Sequence, residues 1–210
     1  MSRKEQIIER LRRAYADTQT ALHFKNPYEL LVATILAAQC TDKRVNIITE
    51  ELFKKYPSPA ELAQAELGEL EQDIRTCGLY KNKAKNLLLC ANRLMDSYGG
   101  EVPDTMEDLT SLAGVGRKTA NVVLAFAFNQ PAFPVDTHVG RVANRLGLAN
   151  SKNPDKVEES LKKVFKKEDW SQAHHWMIWH GRLVCKAQRP LCAQCILADV
   201  CPSKKDYVKS

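Results

Sequence analysis

Four cysteines crowd the end of the chain with the spacing Cys185-x6-Cys192-x2-Cys195-x5-Cys201, followed by Pro202. Four thiolates in one short loop can wrap a tetrahedral zinc or a [4Fe–4S] cube. Whatever else the chain does, its last stretch is expected to close on itself around a metal. Zinc ribbons usually draw on two separated Cys-x-x-Cys pairs. Here one such pair is flanked by single cysteines, which suits a cluster whose four irons each take one ligand from a winding loop. Spacing favours iron–sulfur and leaves zinc open. Lys186 and Arg189 lie between the first two ligands. A metal-stiffened loop could present both charges to a phosphate; otherwise they are simply solvated.

The other three cysteines, Cys40, Cys77 and Cys90, are scattered through apolar helical patterns. The first residues, Met1-Ser2-Arg3-Lys4-Glu5, lead into an amphipathic helix with no signal-peptide core. A reducing, cytoplasmic setting is therefore expected, in which a tight cysteine group reads as a metal site and not as disulfides. No apolar run approaches the ~20 residues that span a bilayer, so no membrane is expected as a partner. A net charge of +6 mildly favours a polyanionic one.

Nearly every segment reads as helix. Ser2 and Glu5 form a capping box ahead of Ile7, Ile8, Leu11 and Tyr15. Asn26-Pro27-Tyr28-Glu29 is a second start, leading into the almost wholly apolar Leu30 to Ala38. Further starts stand at Thr41-Asp42, Ser58-Pro59 and Asn153-Pro154, and Ser171 to Val184 is helical in pattern. Gly78 and Gly99-Gly100 read as helix ends. No segment has the period of a strand, so the fold class is all-α. Its best breaks are His23 to Pro27 and Phe133-Pro134-Val135.

Between two apolar helical stretches stands Ala113-Gly114-Val115-Gly116-Arg117-Lys118. This reads as a helix-hairpin-helix, a tight turn whose backbone can approach a phosphate because glycine lacks a Cβ and permits positive φ. Lys118 falls in the first turn of the second helix, where a cation opposes the helix dipole. Arg117 and that dipole disfavour the ammonium, while a bound phosphate would favour it. By itself, such a lysine reads as a phosphate ligand.

Leu112 to Ala120, the run Val135-Asp136-Thr137-His138-Val139-x-Arg141 and the cysteine spacing together resemble the endonuclease III family. So do Ala38-Gln39-Cys40-Thr41-Asp42 and Gly78-Leu79-Tyr80-x-x-Lys83-Ala84. The resemblance runs through nearly the whole chain. It implies two helical lobes with a DNA cleft between them. One is a six-helix bundle over residues 22–132 carrying the hairpin. The other is discontinuous, residues 1–21 with 133–210, and carries a [4Fe–4S] loop at 185–201.

The resemblance further implies a base excision repair enzyme, a glycosylase that removes oxidised pyrimidines from double-stranded DNA and then cuts the abasic site by β-elimination. Lys118 matches the catalytic amine that forms a Schiff base. Asp136 matches the catalytic carboxylate, and it also reads as an N-cap. Gln39 and Leu79 match the residues that fill the gap left by the flipped nucleotide. Without the resemblance, Gln39 would be a helix-end polar residue and Leu79 a core leucine. Gly114, Val115, Gly116 and Arg117 are expected to grip a phosphate. His138 is expected as a pocket or backbone contact that does not face Asp136, and His174, His175 and His180 as structural.

A monomer is expected, working on the DNA of a prokaryotic cytoplasm and nucleoid. Two rivals are a monofunctional adenine-mismatch glycosylase of the same fold and a non-catalytic, metal-stabilised DNA-binding protein. The first lacks a lysine at the position of Lys118 and usually carries a further C-terminal domain, whereas this chain ends nine residues after Cys201.

Overall fold

The computed structural model describes residues 1–207, and its regular structure is helical throughout, with no strand among the described residues. The chain divides into two compact units, Thr20–Gln130 and the pair Met1–Gln19 with Pro131–Ser210. The divisions fall a few residues before the two breaks that composition suggests. No helix among the described residues is long and apolar enough to cross a membrane.

Helix α1 (Arg3–Ala14) begins where its capping box lies, with Ser2 accepting from the Glu5 amide and the Glu5 carboxylate accepting from the Ser2 amide. Its apolar stripe puts Ile7 and Leu11 at 0% exposure, contributing about 1.5–3 kcal/mol each. The unit Thr20–Gln130 is built around α2 (Pro27–Ala37), capped by Asn26 and opened by Pro27. Being apolar on all sides, α2 is buried from Tyr28 to Leu36. It packs on α3 (Asp42–Lys55), α6 (Tyr80–Tyr98) and α8 (Arg117–Phe126). The short α4 (Pro59–Ala63), α5 (Leu67–Asp73) and α7 (Met106–Ser111) bring the helical segments of this unit to seven, against an expected six.

Gly99 ends α6 in the left-handed conformation, φ 60°, as a C-terminal glycine should. Gly78 does not end a helix. Helix α5 stops at Asp73, capped by Ile74, and Gly78 lies beyond it in the turn before α6. Closeness explains the glycine here: a Cβ on it would come within 3.1 Å of the Gln39 carbonyl oxygen.

In the discontinuous unit, α1 packs on α11 (Trp170–Leu183), which also contacts α9 (Thr137–Arg145). Helix α10 (Pro154–Val164) completes the set. Their core joins Ile7 and Leu11 to Phe133, Val142, Trp176 and Leu197. Among the described residues, the cysteine segment that follows α11 holds two short 3-10 stretches, Cys192–Gln194 and Pro202–Asp206.

Candidate functional site

The hairpin joins α7 to α8 as its sequence suggests. Leu112 and Val115 bury their side chains, and the Val115 amide donates to the Leu112 carbonyl at 3.2 Å. The side chain and the amide of Val115 are thus both taken up within the hairpin. The two glycines do different things. Gly114 needs its freedom, with φ 79° and the Asn86 side chain 3.0 Å from where a Cβ would be. Gly116 has an ordinary φ of −93°, and nothing lies within 4 Å of an added Cβ. Its gift is open space in front of α8. That helix has no side-chain N-cap and no acid in its first turn, so its leading amides keep their capacity for an anion. Gly116, Arg117 and Lys118 are all exposed at this end.

Elsewhere in the same unit, Gln39 and Leu79 share an unusual backbone. Both are non-glycine residues in the left-handed region, φ 54° and 60°, a state that costs on the order of 1–3 kcal/mol per residue. Both are exposed, and Leu79 at 56% is no core leucine. The strain holds them out of the helices they adjoin. Gly78 lets the two turns meet, since any Cβ there would press on the Gln39 carbonyl.

In the discontinuous unit, Asp136 is the N-cap of α9, with extended backbone and Oδ1 accepting from the Val139 amide at 2.8 Å. Because Asp136 precedes the helix, its side chain folds back over the first turn. Its Oδ2 stands 3.4 Å from Nδ1 of His138. This corrects the expectation that the two would not face each other: helical spacing rules do not govern a cap. His138 Nδ1 is buried and makes no hydrogen bond among the described residues, so the nearby carboxylate oxygen is its polar neighbour.

Helix α9 also anchors the cysteine loop. Arg141 donates from Nε to the Cys185 carbonyl (3.0 Å) and from Nη2 to that of Gly181 (2.9 Å). One turn on, Arg145 donates to the carbonyls of Lys186 (2.7 Å) and Ala187 (2.9 Å) and comes within 3.4 Å of Cys185 Sγ. Lys186 and Arg189 are exposed on the loop so held, and Arg189 has φ 49°. Nothing local in the sequence marks Arg145 for this task. The signal, visible only in retrospect, is its one-turn spacing from Arg141.

Cys185, Cys192, Cys195 and Cys201 are free thiols lining one recess, with His180, Arg145 and Tyr207 also in its wall. Four thiols around one recess are a donor set that fits a [4Fe–4S] cluster, one sulfur to each iron. Sulfur partners are in place: the Leu197 amide donates to Cys195 Sγ at 3.4 Å, and His180 Nε2 lies 3.7 Å from the same sulfur. Burial raises the Cys195 and Cys201 thiols, so without a metal to draw off the proton they are inert. His174 and His180 are buried in hydrogen bonds to the Pro134 carbonyl (2.8 Å) and the Tyr15 hydroxyl (3.0 Å). His180 thus sits in the wall of the cysteine recess, which its sequence position did not suggest.

Comparison with known proteins covers both halves of this geometry. Residues 32–167 match the family model of the HhH-GPD superfamily base excision DNA repair proteins. Residues 185–201 match the iron–sulfur binding domain of endonuclease III. The endonuclease III of Bacillus subtilis is 46% identical, over 94% of this chain and 90% of its own length. That of Escherichia coli K12 is 42% identical over 97% of each. A solved endonuclease III, trapped as a covalent intermediate with DNA, superposes with a TM-score of 0.93 at 47% identity, covering 98% of this chain and 99% of that one.

Proposed function

The chain belongs to the endonuclease III family of base excision repair enzymes, and from that premise we propose that it removes oxidised pyrimidines from double-stranded DNA through Lys118, with Asp136 assisting. The family is that of a bifunctional DNA glycosylase and abasic-site lyase with a [4Fe–4S] cluster, and DNA is its partner. The observation that carries the reading is an exposed lysine at the uncapped, acid-free start of α8, directly behind the glycine hairpin. The leading amides of α8 take a phosphate, which brings the neighbouring sugar to an amine that is already clear of the core.

A base inside a duplex is out of reach, so the nucleotide must first leave the stack. Gln39 and Leu79 are suited to occupy the gap, being exposed and set by strained turns. The Lys118 amine, once deprotonated, adds to C1′ and the base departs with the bonding electron pair. The sugar opens to an iminium, which acidifies the C2′ proton. Loss of that proton expels the 3′ phosphate oxygen and cuts the strand. Asp136, with one oxygen fixed by the Val139 amide, offers its negative charge to the sugar as positive charge develops. His138 beside it is proposed as a pocket contact. Lys186, Arg189 and Arg117 are proposed as phosphate contacts.

The four cysteines are the residues that would hold the cluster, which when bound supplies the bonds that close the loop 185–201. A zinc-stabilised DNA-binding protein is disfavoured by the matched iron–sulfur segment. An adenine-mismatch glycosylase is disfavoured by Lys118 itself.

Borohydride trapping tests the assignment on duplex DNA bearing an oxidised pyrimidine. The wild-type protein should release the base and leave a reduced covalent adduct. Lys118→Ala should bind the same duplex without forming the adduct. An undiminished adduct in that variant would remove Lys118 as nucleophile. Failure of the wild type to release the base would overturn the substrate.

A further inference from the structure

Lys83 is buried to 5% exposure on α6. Its ammonium makes three hydrogen bonds, to the Leu36 carbonyl (2.8 Å), the Ala38 carbonyl (2.5 Å) and Cys77 Sγ (3.1 Å). An ammonium has three donors, and these partners use all three. None of them is a carboxylate. A buried cation without a counter-ion is costly, and replacing buried ionic groups with apolar ones is often neutral or stabilising. Packing alone therefore does not account for a lysine here.

What the three bonds join is more telling. Leu36 and Ala38 lie at the C-terminus of α2, where carbonyls lack helical partners and the dipole favours a cation. Ala38 directly precedes Gln39. Cys77 lies two residues before Leu79 and itself donates to the Leu36 carbonyl at 3.3 Å. The Lys83 amide donates to the Leu79 carbonyl at 3.1 Å. One side chain thus ties together the two left-handed turns that expose Gln39 and Leu79, at the point where a Cβ on Gly78 would press on the Gln39 carbonyl. We infer that Lys83 is a positioning residue for nucleotide flipping: it fixes the spacing between Gln39 and Leu79 so that both enter the duplex together. This rests on the proposed role of those two residues.

The test is a double-mutant cycle read by single-turnover base excision in duplex DNA. Lys83→Met keeps the volume and removes the three bonds. It should slow excision by about tenfold or more, since displacing a positioned group by about an ångström costs rate on that scale. Cleavage of an abasic site in single-stranded DNA, which has no gap to fill, should stay within about twofold of wild type. In a Gln39→Ala, Leu79→Ala background, Lys83→Met should add less than about twofold, because residues acting as one unit are not additive. Lys83→Gln keeps a donor that can reach one carbonyl and should fall between, and it stands in if the methionine protein does not fold. A full, additive loss in the doubly substituted background, or equal loss on single and double strands, overturns the positioning role alone. If the Gln39→Ala, Leu79→Ala protein excises as well as wild type, the gap-filling reading fails and this inference falls with it.

Discussion

His175 illustrates how much one buried side chain can fix. It is 5% exposed, and burial first, then the charge of Arg182, brings its pKa down to about 4. Unfolded, it would titrate near the ordinary 6.5, so between these values the unfolded chain holds more protons. Its contribution is complete above about pH 6.5 and drains away as pH falls toward 4, to a total of about 3 kcal/mol. In urea unfolding, the stability gap between wild type and His175→Leu should accordingly shrink by ~2–3 kcal/mol from pH 7.5 to 4.5. A gap that stays constant would mean that His175 charges freely in the folded protein. The reverse situation holds at Leu79, where the fold spends strain to keep an apolar side chain in water. No sequence pattern separates that leucine from a core one. Its turn is held by neighbours, Cys77 and Lys83, that bond in turn to the end of α2, and it meets the carbonyl of Gln39; those partners arrive from some 40 residues earlier in the chain.

At the scale of elements, what was legible is what is local. Ser2 with Glu5, Asn26 with Pro27, Thr41, Ser58 and Asn153 each cap the helix expected of them, because a cap involves only residues within one turn. Asp136 belongs to the same class, and that permits a clean separation of fold from chemistry. An asparagine can accept from the Val139 amide as the aspartate does, whereas an alanine cannot. Asp136→Asn should unfold within about 0.5 kcal/mol of wild type, and Asp136→Ala should lose about 1 kcal/mol, the usual worth of a cap. Excision should collapse in both while DNA binding persists. If only the alanine variant loses activity, the carboxylate serves α9 and not the reaction. Illegible were the long-range ties: Lys83 to the end of α2, and Arg141 and Arg145 to the cysteine loop. Each joins residues some 40 or more positions apart, and a lone basic residue on a helix gives no sign of the carbonyl it will meet.

For the molecule as a whole, the discontinuous unit sets the terms, since its first helix and its last loop must find each other. Two arginines of α1 do part of that work, and a third ties α1 to the start of α11. Arg3 donates to the Leu146 and Val200 carbonyls, Arg10 pairs with Asp199 and the Ile196 carbonyl, and Arg12 pairs with Asp169. Exposed pairs of this kind contribute little each, and the segment after α11 has almost no regular structure to hold it. Its order then depends on what fills the thiol recess, with α9 and α1 as the elements gripped by it. Cys195→Ser should lose the visible iron–sulfur absorption. In hydrogen exchange it should lose amide protection over residues 184–207 and, to a lesser degree, over α1 and the last turn of α9, which carries Arg145. Protection across α2, α6 and α8, whose core lies wholly in Thr20–Gln130, should hold. A uniform loss across both units would mean that the cluster supports the entire chain as one cooperative body, and that the division into two units has no counterpart in its stability.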